Sequence, residues 1–481
     1  MLAILYAIAS GALLSASFKP IGQWFAAPLA IALLIHTIEK FNANFKSIAI
    51  FAFTFNALAL YWSNKYVGVA PWIALVLLQS IFFLPLAALK PLLSRWVGES
   101  WYFFFPVAYL ILEEVRARFP FGGFGWLRVG FGQADAPYVR LASLGGVSLL
   151  TLATCLLGVA AYQLAQRGSG LTLPLIAITL TLSGIFIIPN NSPRQTFEVL
   201  AIQGSVPKLG LDFNERATEV FYRHLTQTEK SLSKDSNVDL IIWPENSVDV
   251  DPFNNPKIGS EINQLVDKYQ VPLMVGAVLR TDGKLQNASI LYEPAKGATS
   301  TYIKRHLTPF GEVMPLRSLL TFFSDLPNQV EDFSPGNNAV IHQIGQAKIA
   351  PIICFELIDD RMAQLSASQS NLFAVQTNSA TFANTAESAQ QLAITRIRSI
   401  EHARYSVSVS TVGISAIVDT NGEVLKSTKE NIATSIQSSV ALNATRTTYD
   451  RIGEFAWALV ALIGLGFGFL LSYAARVVKR R

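Results

Sequence analysis

Cysteine is nearly absent: 481 residues contain two, Cys155 and Cys354. Cys155 lies in a long apolar segment that reads as membrane-embedded and Cys354 in a globular stretch, so no disulfide between them is expected. Charge is also scarce, with 15% Asp, Glu, Lys and Arg against 51% hydrophobic residues, which excludes an ordinary soluble protein. No Cys/His cluster has metal-ligand spacing, no acidic loop has the Ca²⁺ pattern and no phosphate-cradling loop occurs, so neither metal nor cofactor is expected. The net charge of +5 is accounted for by the basic tail and the loops between apolar runs, and does not call for a nucleic-acid partner.

What is present divides the chain in two. Up to about Pro189 the charges are sparse and separate apolar runs; from about Arg194 to Arg451 the composition is that of an α/β domain long enough to bury its own core. The expected plan is a membrane domain at 1–190 with about seven helices, a catalytic domain at 195–450, a last transmembrane helix at 455–475 and a basic tail at 476–481. Candidate spans are Leu2 to Phe18, Phe25 to Ile38, Ile48 to Tyr61, Val69 to Leu89, Trp101 to Leu112, Leu141 to Leu164, Leu171 to Ile188 and Phe455 to Ala475. Several fall short of the roughly 20 residues of a straight span. The first lacks a basic n-region, so it is expected to be retained rather than cleaved.

Orientation follows from Arg476, Lys479, Arg480 and Arg481, which the positive-inside rule puts in the cytoplasm. The loops add little: Lys40, Lys46, Lys90, Arg95 and Arg167 fall inside, Lys19, Lys65, Arg116, Arg118, Arg128 and Arg140 outside. With one span before the tail, the globular domain is expected outside the cytoplasm of a multi-pass plasma-membrane protein. An unpaired thiol there is easier to explain as a nucleophile than as filler, because external thiols tend to be oxidised into disulfides.

Cys354 ends the apolar run Pro351-Ile352-Ile353 and is followed by Phe355-Glu356 and a polar loop. A lone cysteine is by itself as well read as a small buried hydrophobe; its company argues for chemistry. Leu240 to Trp243 is a second apolar strand, ending Trp243-Pro244-Glu245, and between the two stands Lys304-Arg305-His306-Leu307-Thr308-Pro309-Phe310-Gly311-Glu312. A thiol needs a base, and the tetrahedral intermediate it forms needs a positive or hydrogen-bonding group. Glu245, Lys304 and Cys354 supply these types, although any Glu and Lys alone are as readily a surface ion pair.

These strings resemble the Glu-Lys-Cys motifs of the nitrilase superfamily, and with the apolar N-terminal half they resemble its apolipoprotein N-acyltransferase family. The resemblance implies a multi-span α-helical membrane domain joined to an extracytoplasmic α/β nitrilase-like αββα sandwich. It implies transfer of a fatty acyl chain from a phospholipid, through a thioester on Cys354, to the α-amino group of a diacylglyceryl-cysteine lipoprotein, by a monomer that needs no cofactor. In that scheme Glu245 is the general base, Lys304 steadies the oxyanion with the backbone N–H of Phe355, Glu312 supports the triad, Glu356 lies on the substrate rim and Asn287 stands near the site. Asn287 is nearly as well explained as a turn residue leading into a strand. Three departures are Leu211 with its nearest aromatic at Phe213, Phe355 in place of Tyr, and Ser379 and Thr381 where Asp and Trp are frequent. A membrane-tethered amidase with water as acceptor and a non-enzymatic scaffold are the alternatives.

The remaining pattern is alternating. Strands are expected at 197–202, 238–243, 272–278, 287–292, 348–353, 372–376, 405–411 and 414–419, and helices at about 216–232, 257–269 and 386–404, an α/β layered order. His306 invites a Cys-His reading, but no orienting Asn or Asp stands out in sequence. Glu113-Glu114-Val115-Arg116-Ala117-Arg118, leading into an aromatic and glycine-rich stretch through Trp126, reads either as a solvated ion-pair cluster at an aromatic belt or as a lipid-facing entrance. Leu316 to Leu326 reads either as a loop dipping into the outer leaflet or as core packing.

Overall fold

The computed structural model describes residues 1–42, 44–166, 172–187, 195–210, 218–233, 236–322 and 331–480. Arg167, Leu211, Phe213, residues 323–326 of the apolar stretch and Arg481 lie outside the described residues. The chain forms two units, Met1–Pro189 with Thr447–Arg481, and Asn190–Arg446.

In the first unit three helical stretches are long and apolar enough to cross a membrane, Val69–Arg116, Val139–Ala165 and Thr448–Val477, with shorter apolar helices at Leu2–Ala16, Phe45–Ala59 and Ala177–Phe186. The protein is therefore a multi-pass membrane protein. The stretch expected as one span at 69–89 is two helices, Val69–Ile81 and Leu86–Val97, with Pro85 at the start of the second. Pro106 likewise opens the helix Phe105–Arg116 after a 3₁₀ segment at Gly98–Phe104. Proline lacks the N–H that would continue a helix and suits a helix's first turn.

Val107 and Leu110 pack with Leu152, Val460 and Ala461, joining three of these helices. Beside them, in the stretch that reads either as a solvated ion-pair cluster or as a lipid-facing entrance, Glu113, Glu114 and Arg116 are buried together with Arg128 from beyond it, each at most 2% exposed, so the solvated reading does not hold for them. Glu113 accepts from the Val129 N–H at 2.7 Å and the Thr151 hydroxyl at 2.8 Å. Glu114 pairs with Arg128 and accepts from the Ser148 hydroxyl at 2.6 Å. Charges placed in an apolar bundle persist only when paired in this way, so this network ties the Phe105–Arg116 helix to the Ala142–Ala165 helix.

The second unit is two six-stranded sheets. The first has the order β12-β1-β2-β3-β4-β5 and the second β11-β10-β9-β8-β7-β6. Their ranges are β1 Thr196–Gln203, β2 Leu240–Ile242, β3 Leu273–Thr281, β4 Lys284–Glu293, β5 Gly297–Ile303, β6 His342–Ile344, β7 Ala347–Ile353, β8 Leu372–Thr377, β9 Ser406–Ser410, β10 Ala416–Val418, β11 Val424–Ser427 and β12 Thr434–Ala441. The strand period of two decides which face each side chain serves. Leu240 and Ile242 join Val199, Met274, Ile349, Leu372, Ala374 and Val407 in a core shared by both sheets. Ile241 and Trp243 turn to the other face and pack with Phe221, Ile258, Ile262 and Leu265 of the helices Glu219–Ser231 and Pro256–Tyr269. The helices Asp360–Gln369 and Glu387–His402 pack on the second sheet, which completes an αββα sandwich.

Two contacts fix where β2 ends. Gln376 of β8 donates its amide to the Trp243 carbonyl at 2.7 Å, across the sandwich. Gly276 of β3 accepts from the Val248 N–H at 2.9 Å and the Ser247 hydroxyl at 3.0 Å. A Cβ at Gly276 would lie 2.3 Å from the Pro244 carbonyl oxygen and 2.6 Å from the Glu245 Cα, so only glycine lets β3 pass this close to the Glu245 backbone. Gly276→Ala is expected to destabilise the protein by about 1–3 kcal/mol, read as a lowered Tm of the full chain in detergent; an unchanged melt would show that the backbone gives way freely.

Candidate active site

The buried run of β7 ends at Ile353, and Cys354 takes φ +48°, in the left-handed region. A residue with a Cβ pays roughly 1–2 kcal/mol there, so the turn must be held by its surroundings. The Glu356 carboxylate does this. It accepts from the Tyr302 hydroxyl at 2.6 Å, the Arg305 N–H at 2.7 Å, the Ile353 N–H at 2.9 Å and the His306 N–H at 3.3 Å. These donors come from the end of β5 and the end of β7, so one side chain locks the Lys304 strand end to the Cys354 turn. Glu356 is 1% exposed; the expected place on a substrate rim is corrected to a buried brace, because both its oxygens are spent on the protein's own donors.

Lys304, 1% exposed, follows β5 and lies between two carboxylates. Its Nζ is 3.2 Å from Glu245 Oε1 and 2.8 Å from Glu312 Oε2. Asn287, inside β4 rather than in a turn, donates its Nδ2 to Glu245 Oε1 at 2.7 Å and to Glu312 Oε1 at 2.8 Å. Glu312 accepts in addition from the Thr308 N–H at 2.8 Å. Glu245 itself follows β2 and precedes Asn246, whose φ of +54° turns the chain away.

The two carboxylates differ because their partners differ. Burial raises the pKa of Glu245, with Lys304 opposing and the Glu312 charge adding to the rise. Glu312 is also buried, yet Lys304, Asn287 and the Thr308 N–H hold it below the ordinary carboxylate range. Burial works against the charge of Lys304, but Glu245 and Glu312 together keep it firmly protonated. Paired titratable groups pushed apart in this way mark a proton carrier and a permanent counter-ion. Burial pushes the Cys354 thiol up, Glu245 adds to this and Lys304 opposes it, so the thiol rests protonated.

The helix Glu387–His402 contributes two residues that sequence reasoning missed. Gln391 approaches Cys354 with its Nε2 3.6 Å from Sγ. Glu387, one turn earlier, is 3% exposed and acts electrostatically on the thiol. The i,i+4 spacing of these polar residues at the head of the helix was the available signal. His306 does have an orienting carboxylate, Asp359, at 2.8 Å from Nδ1. Its ring packs edge-on against Phe355 at 5.3 Å, and the charges acting on the thiol come from Glu245, Lys304, Glu387 and Glu312. Phe355 is buried, and Ser379, also buried, accepts from the Ser410 hydroxyl at 3.2 Å.

Removing the Glu356 brace strands four donors. Glu356→Ala is expected to cost about 3–5 kcal/mol, read as a large fall in Tm, whereas Glu356→Gln, which keeps one acceptor oxygen, should fall between it and wild type. Equal melts for all three proteins would rule out the bracing role.

The profile of the apolipoprotein N-acyltransferase N-terminal domain matches residues 10–160, and that of carbon-nitrogen hydrolase residues 201–450. The chain is 30% identical to the apolipoprotein N-acyltransferase of Mycolicibacterium smegmatis, over 99% of this chain and 87% of that one. It is 27% identical to that of Geobacter metallireducens, over 95% and 93%, and 28% identical to that of Azotobacter vinelandii, over 98% and 96%. These matches run over nearly the whole chain, and the chain belongs to the apolipoprotein N-acyltransferase family.

Proposed function

We propose that the protein moves a fatty acyl chain from a phospholipid to Cys354 and from there to the N-terminal amine of a diacylglyceryl-cysteine lipoprotein. The observation that carries this reading is Lys304 held between a raised-pKa Glu245 and a charged Glu312, within electrostatic reach of a cysteine on a left-handed turn. In the first half-reaction Glu245 takes the thiol proton as Sγ attacks the ester carbonyl. The oxyanion forms beside Lys304 and the backbone N–H of Phe355, and Glu245 returns the proton to the departing lysophospholipid oxygen. In the second half-reaction an amine attacks the thioester, and Glu245 relays its proton to the leaving sulfur. The first product can leave before the second substrate enters, which suits two bulky lipid-anchored substrates.

Glu312 stays charged through both halves and keeps Lys304 an ammonium. Lys304 with Glu312 alone is neutral, so protonation of Glu245 removes a buried charge and its deprotonation is favoured only while Lys304 and Asn287 face it. The topology belongs to the same reading: eight spans, the basic tail of Arg476, Lys479, Arg480 and Arg481 in the cytoplasm and the catalytic unit outside it. That side of the membrane is where a lipid-anchored extracytoplasmic acceptor would be met.

The test is transfer of a labelled acyl chain from phospholipid to a diacylglyceryl-cysteine peptide by the full chain in detergent. Beyond the one equivalent that accompanies acylation of Cys354, wild type should release lysophospholipid only as the peptide is acylated, and Glu245→Gln should be slower by 10²-fold or more. Release of free fatty acid with no acylated peptide would instead make the enzyme an amidase-like hydrolase. Because the base must be ionised and its pKa is raised, kcat/KM should fall with acid at a pH above the ordinary carboxylate range. Asn287→Ala removes a hydrogen bond that favours the Glu245 carboxylate, so it should move that limb to higher pH still; an unmoved limb would exclude Glu245 as the titrating group.

A further inference from the structure

Glu387 is a carboxylic acid that the two half-reactions leave without a task. It is 3% exposed, and its Oε2 is buried with no hydrogen-bond partner among the described residues, an arrangement that costs stability unless something else claims the atom. The rest of its surroundings is built. Its backbone N–H donates to the Thr385 hydroxyl at 3.3 Å, and the Ser379 hydroxyl hydrogen-bonds to its carboxyl while accepting from Ser410 at 3.2 Å. It stands one helical turn before Gln391, whose amide reaches Cys354 Sγ at 3.6 Å, so residues 387 and 391 share the helix face that meets the thiol. Its charge acts on both Cys354 and Glu245.

An unclaimed buried acceptor beside the nucleophile calls for a substrate donor. Of the two reacting groups that reach Cys354, the phospholipid ester has no N–H or O–H to offer, and the primary amine has. Resting on the function proposed above, we propose that Glu387 is the acceptor-binding residue of the second half-reaction. Its Oε2 accepts a hydrogen bond from the incoming primary amine and turns the nitrogen lone pair toward the thioester carbonyl. The lone pair forms the C–N bond, the C–S bond breaks with its electrons on Sγ, and the one N–H proton lost passes through the Glu245 carboxylate to the thiolate. Cys354 ends as the thiol and the product as a neutral amide. Burial raises the Glu387 pKa to about 8, with the Glu245 and Glu430 charges adding to it.

The experiment separates the halves. Wild type, Glu387→Ala and Glu387→Gln are first incubated with phospholipid alone, and the acyl adduct on Cys354 is read by intact mass. Diacylglyceryl-cysteine peptide is then added, and single-turnover loss of the adduct is followed against peptide concentration. Glu387→Ala should acquire the adduct but need at least tenfold more peptide for half-maximal transfer, and Glu387→Gln, which retains an acceptor oxygen, should recover part of that loss. An unchanged peptide dependence in Glu387→Ala, or a loss of adduct formation matching the loss of transfer, overturns the acceptor role. A wild type that forms no adduct overturns the two-step reading and this inference with it, whereas a wild type that acylates and transfers leaves that reading standing whatever Glu387 does.

Discussion

One ammonium group orders the site. Lys304 Nζ, withdrawn from water, sits between Glu245 and Glu312, and neither carboxylate could be buried there without it. Breaking a buried pair of this kind by removing one partner typically costs 3–5 kcal/mol, since the other charge is left uncompensated. The arrangement is asymmetric: Glu312 has the shorter ion pair and a backbone donor, and Glu245 has neither. That inequality, more than the presence of two acids, is what leaves the pKa of Glu245 raised and that of Glu312 lowered.

The scaffold exists to bring strand ends together. Glu245 follows β2 of one sheet, Lys304 follows β5 of the same sheet, and Cys354 follows β7 of the other. Three devices hold them in register: the Gln376 amide spanning the sandwich to the Trp243 carbonyl, the absent side chain of Gly276 beneath Glu245, and the Glu356 carboxylate joining the Lys304 and Cys354 turns. The Glu356 carboxylate has both oxygens bonded inside the protein, which is how a unique geometry is specified in an otherwise apolar core. The strained backbone at Cys354 is maintained by this over-determination.

Much of this was legible in the chain. β2 and β7 announced themselves as apolar runs ending in Glu245 and Cys354, and Asn287 and Glu312 were placed near the site, although not as the two ends of one hydrogen-bonded bridge. The strands that did not announce themselves, β5, β6, β11 and β12, are all the edges of their sheets. Edge strands pack on few neighbours and carry polar residues: β12 buries only Ile436 and Val440, and β5 only Tyr302. The resemblance alone places Glu356 on the rim; its four donors come from residues about fifty positions away and at its own turn. Of the two readings of the membrane stretch, the solvated ion-pair cluster fails for Glu113 and Glu114 because their partners Ser148 and Thr151 lie on another helix. Glu387 and Gln391 share a helix face by their i,i+4 spacing, but nothing in that spacing says the face meets Cys354.

The central claim is that this constellation makes Cys354, and not water, the first acceptor of the acyl group. Its most direct measurement is the mass of the intact protein after incubation with a phospholipid carrying one defined acyl chain, with and without hydroxylamine. The account predicts an increment of a single acyl group on wild type, removed by hydroxylamine and absent from Cys354→Ser. A wild type that yields lysophospholipid and free fatty acid while its own mass never changes, even under rapid quenching, would contradict it.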